Sequence, residues 1–110
     1  MAGEPPKLPD RCVPCEGGVP PLGQGAALDL MAQVPGWELD YPFLKREYVF
    51  RDFKEALAFV NRVGALAEEQ GHHPDFHLTG YKRVELVLFT HAIDGLSEND
   101  FVMARAINAL

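Results

Sequence analysis

Residues 52–71 have the sequence DFKEALAFVNRVGALAEEQG, and this stretch predicts the long helix around which the fold is arranged. Asp52 and Glu55 have the spacing of a capping box at the start of a helix. Gly71 occupies the position at which helices commonly end in glycine. Between them, seven apolar residues recur at three- and four-residue spacing and so share one side of a helix: Phe53, Ala56, Leu57, Val60, Val63, Leu66 and Ala67.

The segments on either side of this helix predict two pairs of strands. Residues 37–40 and 44–50 are rich in aromatic and β-branched residues and flank a turn near Pro42, which predicts a hairpin. Residues 76–81 and 83–91 predict a short strand and a longer one. In the longer strand, alternation places Val84, Leu86 and Leu88 on one face and Glu85, Val87, Phe89 and His91 on the other.

Two shorter helices complete the predicted order of elements. Residues 26–34 have helical spacing that ends at Pro35, and Ser97 with Asp100 predicts the start of a last helix that runs to Leu110. The order is then α-β-β-α-β-β-α. Strands that arrive in hairpin pairs predict an α+β single domain, in which three helices pack on one face of a four-stranded antiparallel sheet.

The N-terminal residues differ in composition from the rest of the chain. Residues 1–25 are rich in proline and glycine, which predicts an extended arm ahead of a domain over residues 26–110. The arm contains the only two cysteines, Cys12 and Cys15, in a C-x-x-C spacing. A structural zinc site usually needs four ligands, and the sequence has no second pair of cysteines. We therefore expect two reduced thiols, with metal or redox work shared with another subunit as the open alternative.

Size and charge restrict the possible functions. The chain has 110 residues, enough for one domain, and a formal net charge of −6. An acidic surface repels phosphate backbones, which disfavours nucleic-acid binding. The sequence contains no apolar stretch of the roughly 20 residues that a membrane helix needs and no signal peptide. We therefore expect a soluble cytoplasmic protein that binds neither nucleic acid nor membranes.

Three of the four histidines lie where predicted elements end, and such positions often carry function. His72 and His73 follow the long helix, and His91 ends the longest strand. Pro74 favours an extended backbone at His73, and Glu68 lies one helical turn before His72, where its carboxylate could orient the imidazole. Since histidine titrates near neutral pH, this arrangement is typical of proton transfer.

The spacing of these residues resembles the signature of the pterin-4a-carbinolamine dehydratase family. The matching positions are Glu68-x-x-x-His72-His73-Pro74, Tyr81, Thr90-His91 and Gly95-Leu96-Ser97-x-x-Asp100. Residues 12–22, CVPCEGGVPPL, also resemble the arm of bacterial members. The resemblance implies the α+β fold above, a homodimer or homotetramer, and the dehydration of 4a-hydroxytetrahydropterin to quinonoid dihydropterin. It also implies that the reaction recycles the pterin for an aromatic amino acid hydroxylase and needs no metal or cofactor.

The same resemblance implies roles for individual residues. His72, His73 and His91 would be the catalytic acid, base and pterin-holding set, with Glu68 and Asp100 as substrate-binding or supporting carboxylates. Simpler explanations stay open at this point, because Asp100 also fits a helix cap and Glu68 an exposed helix charge. Tyr81 is expected to contribute packing, and His77, outside the motif, is expected to lie on the surface.

Two other functions compete with the dehydratase. One is a non-catalytic role as an assembly chaperone or protein-binding cofactor of the same fold. The other is a metal-binding protein that uses the three histidines as ligands, as three histidines can hold zinc. Which pterin side chain is accepted does not follow from the sequence.

Overall fold

The computed structural model describes residues 8–13 and 19–110. It confirms the predicted order of helices and strands and the α+β class. The elements are α1 Gln24–Leu30, β1 Glu38–Asp40, β2 Phe43–Val49, α2 Phe53–Gln70, β3 Asp75–Thr79, β4 Arg83–Leu88 and α3 Glu98–Asn108. Two short 3₁₀ turns, Met31–Gln33 and His91–Ile93, follow α1 and β4.

The four strands form one antiparallel sheet in the order β1-β2-β4-β3. The two hairpins therefore meet through their second strands, where Arg46 of β2 lies opposite Leu86 of β4. As the alternation predicted, the side chains of Val84, Leu86 and Leu88 are completely buried under the helices. β4 thus joins the two hairpins and carries much of the sheet's contribution to the core.

Helix α2 begins and ends where the sequence predicted. The Asp52 carboxylate accepts the backbone N–H of Glu55 at 2.9 Å, and Gly71 ends the helix with a left-handed φ of 69°. The predicted apolar stripe was partly wrong, however. Phe53 and Leu57 are 48% and 42% exposed, whereas Phe59, outside the predicted stripe, is buried.

The buried side of α2 is decided by the sheet. The Phe59 ring lies 4.5 Å from the Tyr48 ring and 5.1 Å from the Phe50 ring, measured between centroids. Aromatic contacts of this kind supply more buried area than a smaller apolar residue would. The helix is therefore rotated toward the aromatic end of β2. The periodicity of α2 alone does not predict this orientation.

The second hairpin differs from its prediction in two places. Strand β4 ends at Leu88, so His91 lies in the following 3₁₀ turn and does not end the strand. Thr90 pairs instead with Gly95 across that turn, at 2.8 Å from Thr90 N to Gly95 O. Tyr81 lies in the β3–β4 turn with a φ of 56° and is 59% exposed, so the expectation that it contributes packing was wrong.

The described part of the arm packs against the domain. Leu8 is 1% exposed, and the Arg105 side chain of α3 donates to the carbonyl oxygens of Leu8 and Pro9. Residues 1–7 and 14–18, including Cys15, lie outside the described residues. Within residues 8–13 and 19–110, none of the helices combines the length and the apolar character needed to cross a membrane.

Candidate functional site

A histidine and a carboxylate meet where the end of α2 approaches the start of α3. His72 directly follows the left-handed Gly71, and Asp100 lies in the first turn of α3. The distance from His72 Nε2 to Asp100 Oδ1 is 2.6 Å. The side chain of Asp100 is fully buried and that of His72 is 11% exposed. A buried carboxylate needs hydrogen bonds to both of its oxygens, and His72 provides the one to Oδ1.

The second oxygen of Asp100 is held by two donors from the same region. Asp100 Oδ2 accepts the Thr90 hydroxyl at 2.8 Å and the Ser97 backbone N–H at 3.0 Å. Because a hydroxyl has a single proton, Thr90 must in turn accept from Ser97 Oγ, 2.8 Å away. Both carboxylate oxygens are thus satisfied, and Asp100 serves as a helix cap and a histidine partner at once.

Glu68 has a different partner from the one that the sequence indicated. Its carboxylate lies 2.7 Å from His73 Nε2, and both side chains are mostly exposed. The expected pairing of Glu68 with His72 relied on helical spacing, but Gly71 leaves the helical path before His72 is reached. His72 therefore turns to Asp100, and His73 takes its place beside Glu68.

His91 lies close to this network along the chain. It directly follows Thr90, whose hydroxyl binds Asp100, so consecutive residues link His91 to the His72 side of the site. The exposed His91 ring meets the Phe89 ring edge-on with centroids 5.1 Å apart. Phe89 in turn contacts Phe43 at 5.0 Å. His91 thus adjoins a small aromatic surface.

The sequence did not reveal the roles of two contributors to the site, although both belong to the family signature. Thr90 and Ser97 are ordinary hydroxyl residues whose role appears only when the turn at residues 90–97 closes on α3. His77, by contrast, is exposed on β3, as expected. Within residues 8–13 and 19–110, no group of three or more histidine, cysteine and acidic side chains has an arrangement that could hold a metal ion.

Cys12 of the arm lies beside α3. Its thiol donates to the Asn99 carbonyl oxygen at 3.5 Å. Burial, assisted by the negative charge of Asp100, raises the pKa of Cys12 from 9.0 to about 11. A thiol with this pKa is neutral near pH 7, which makes Cys12 a weak nucleophile and metal ligand in the described conformation.

Comparisons with known proteins agree on one family. A family model described as Pterin 4 alpha carbinolamine dehydratase matches residues 20–110. A Rubrobacter xylanophilus protein, provisionally named a pterin-4-alpha-carbinolamine dehydratase, is 57% identical over 102 residues, which cover 91% of this chain and 94% of that protein. The family match over residues 20–110 thus includes the end of α2 and the start of α3, where the candidate site lies.

Two further relatives extend the similarity. The Arabidopsis thaliana protein named pterin-4-alpha-carbinolamine dehydratase 2, mitochondrial, is 42% identical over 105 residues, covering 91% of this chain and 56% of that protein. The crystal structure of a transcriptional coactivator/pterin dehydratase from Brucella melitensis has a TM-score of 0.73 at 32% identity, over 81% of this chain and 96% of that one. Sequence and fold therefore lead to the same group of proteins.

Replacing each carboxylate with alanine should separate the buried pair from the exposed one. Asp100→Ala leaves buried donors without an acceptor, and each such group costs about 1–3 kcal/mol. We expect the free energy of unfolding to fall by about 3 kcal/mol or more. Glu68→Ala removes an exposed partner and should change it by less than about 0.5 kcal/mol. Urea unfolding at equal protein concentration measures the free energy of unfolding of both variants. Equal losses would contradict the burial of Asp100 and the exposure of Glu68.

The raised pKa of Cys12 predicts a pH profile for alkylation. In a Cys15→Ser variant, iodoacetamide should modify folded Cys12 at pH 8 about 100-fold more slowly than a thiol with a pKa of 9.0. The rate should keep rising beyond pH 9 and level off only near pH 11. The same variant in denaturant is the control, and a plateau near pH 9 in the folded protein would refute the prediction.

The same pKa sets the direction of a stability change. Between pH 9 and about 11 the unfolded thiol has lost its proton while the folded thiol has kept it. The folded state then binds more protons, so the contribution of Cys12 to stability falls as the pH rises through this window.

Proposed function

Because the chain belongs to the pterin 4 alpha carbinolamine dehydratase family, we propose that it removes water from a 4a-hydroxytetrahydropterin and releases quinonoid dihydropterin. The observation that carries this proposal is the His72 imidazole held at 2.6 Å against the buried Asp100 carboxylate. An imidazole fixed in this way is suited to proton transfer, and the reaction consists of two proton transfers and one bond cleavage.

The chemistry defines what the side chains must do. The bond between C4a and the hydroxyl oxygen breaks, and a general acid gives that oxygen a proton so that it leaves as water. A general base takes the proton from N5, and the electron pair of the N–H bond forms the C4a–N5 double bond. No net oxidation or reduction occurs. Histidine suits both tasks because its ordinary pKa of ~6.5 lies near neutral pH.

We assign His72 to the proton-accepting step. With Asp100 as a carboxylate, Nε2 of His72 donates to Asp100 Oδ1, which leaves Nδ1 as the acceptor of the neutral ring. When Nδ1 takes a proton, the resulting imidazolium faces the buried negative charge of Asp100. Because Asp100 is fully buried, we give it the role of orienting His72 and not that of contacting the pterin.

We assign the remaining tasks to the more exposed side chains. His73, paired with Glu68, and His91 supply the acid and hold the pterin, with Glu68 as a binding carboxylate. The aromatic surface of Phe43 and Phe89 beside His91 is suited to contact with a flat bicyclic ring. We also propose that the product returns to an aromatic amino acid hydroxylase in the cytoplasm.

A second candidate function is non-catalytic protein binding. The Brucella melitensis relative is named a transcriptional coactivator as well as a pterin dehydratase, which supports a protein-binding role for members of this fold. The two functions differ in their need for the histidines, since binding a protein partner does not require proton transfer. The activity measurements below therefore distinguish them.

We further propose that the protein is a homodimer or homotetramer. The sheet face opposite the helices carries Val87, which is buried, and Phe89, which is partly exposed. Light scattering at micromolar concentration should give a mass two or four times that of the 12.2 kDa chain. A monomer mass under these conditions would reject the proposal.

A dehydratase assay coupled to phenylalanine hydroxylation tests the proposed activity. The wild-type protein should accelerate dehydration, and His72→Ala and His73→Ala should each lose about 10²–10⁴-fold of the rate, the usual contribution of a positioned acid or base. His77→Ala is the matched control, because His77 is an exposed histidine on β3, and it should retain full activity.

Two outcomes would contradict the proposal. An inactive wild-type protein would favour the binding function, and full activity in both histidine variants would remove His72 and His73 from the mechanism. Metal analysis of the purified protein belongs to the same test, since a stoichiometric equivalent of zinc would favour the metal-binding alternative.

A further inference from the structure

Two consecutive residues of the arm bind the ends of two different helices. The backbone N–H of Cys12 donates to Gln70 Oε1 at 2.8 Å, and Gln70 is the last residue of α2. The backbone of Val13 makes a reciprocal pair with the Asn99 side chain in the first turn of α3. Val13 N donates to Asn99 Oδ1 at 2.9 Å, and Asn99 Nδ2 donates to Val13 O at 2.6 Å.

Both helix residues are close neighbours of the buried pair. Gln70 lies two positions before His72, and Asn99 directly precedes Asp100. We propose that Gln70 and Asn99 are positioning residues through which the arm fixes the separation of His72 and Asp100. We call residues 8–13 the strap, since they tie the end of α2 to the start of α3.

The strap is anchored well enough to carry out this role. Leu8 is 1% exposed, and Arg105 of α3 donates to the carbonyl oxygens of Leu8 and Pro9. On the other helix, the Arg11 guanidinium lies 3.6 Å from the Glu69 carboxylate. That ion pair is exposed and contributes little, so the burial of Leu8 and the bonds of Cys12 and Val13 hold the strap in place.

The bonds that the strap makes are of a kind that resists displacement. Asn99 is 4% exposed, and a buried amide that loses its partners costs about 1–3 kcal/mol. The Asn99 side chain therefore favours the conformation in which the strap is bound.

The geometry of the buried pair makes it sensitive to the distance between the two helix ends. His72 and Asp100 are 28 residues apart and belong to separate helix ends. A displacement of about 1 Å would lengthen their 2.6 Å contact to about 3.6 Å, which is beyond hydrogen-bond distance. A displacement of about 1 Å in a catalytic group can cost up to about 100-fold in rate. The strap limits such displacements.

The inference rests on the proposed function only where it refers to rate, because the separation of His72 and Asp100 can be measured without substrate. Gln70→Leu removes the acceptor for the Cys12 N–H, whereas Gln70→Glu keeps an oxygen at the same position. Gln24→Leu makes the same chemical change at an exposed position of α1 and serves as the matched control. These substitutions alter none of the residues to which we assign proton transfer or pterin binding.

Two measurements on these variants test the proposal. The first is the exchange rate with water of the His72 Nε2 proton, observed by NMR in protein without substrate. The second is the split between kcat and KM in the dehydratase assay. In Gln70→Leu we expect exchange and kcat each to change on the order of 10-fold, exchange becoming faster and kcat slower. KM should stay within about twofold. Gln70→Glu should restore both, and Gln24→Leu should match wild type.

The outcomes separate this proposal from its alternatives. If Gln70→Leu lowers only the thermal midpoint while exchange and kcat stay at wild-type values, the strap has a structural role and the proposal is overturned. Failure of Gln70→Glu to restore the exchange rate would also overturn it. If wild type has no dehydratase activity, the proposed function fails, but faster exchange in Gln70→Leu alone would still support the strap.

Discussion

The buried carboxylate of Asp100 imposes the main constraint on the functional end of this protein. A carboxylate without access to water requires hydrogen bonds to both oxygens. Asp100 obtains them from His72, the Thr90 hydroxyl and the Ser97 backbone, which come from three separate segments. The end of α2, the turn after β4 and the start of α3 must therefore meet at one point. The same carboxylate caps α3 through Oδ2 and binds the imidazole of His72 through Oδ1.

The rest of the fold provides the rigidity that this meeting point needs. β4 joins the two hairpins and leads directly to Thr90, while α2 packs on the sheet through Phe59 and ends at Gly71. The left-handed glycine directs His72 toward α3 and leaves His73 beside Glu68. The two adjacent histidines thus have different surroundings, one buried against a carboxylate and one exposed. Such a difference suits two different tasks in acid–base chemistry.

The N-terminal arm makes more contacts with the domain than its composition predicted. Its proline and glycine content predicted an extended segment, and residues 8–13 indeed form no helix or strand. Yet Leu8 is buried in the core, and Cys12 and Val13 bind residues next to the buried pair. An extended backbone has free N–H and C=O groups, and these are what Gln70 and Asn99 bind. The absence of regular structure is therefore what allows the arm to link two helices.

Much of the fold followed from local pattern. The caps at Asp52 and Ser97 and the alternation in β4 predicted α2, α3 and the buried face of the sheet, because capping and periodicity depend on neighbours in the chain. The family signature likewise contained the three histidines and two carboxylates proposed for the site, but not Phe43 and Phe89. Periodicity failed for α2, where Phe53 is exposed and Phe59 is buried, because the sheet decides which side of a helix is covered.

The sequence by itself determined the order of elements, the α+β class and the set of histidines and carboxylates available for chemistry. Only the tertiary structure decided that Asp100, and not Glu68, binds His72. Spacing along a helix describes contacts within one turn, whereas this pair joins two elements 28 residues apart, after Gly71 has ended the helical path. A contact of that kind depends on how α2, α3 and the turn after β4 pack together, and no local stretch of sequence encodes it.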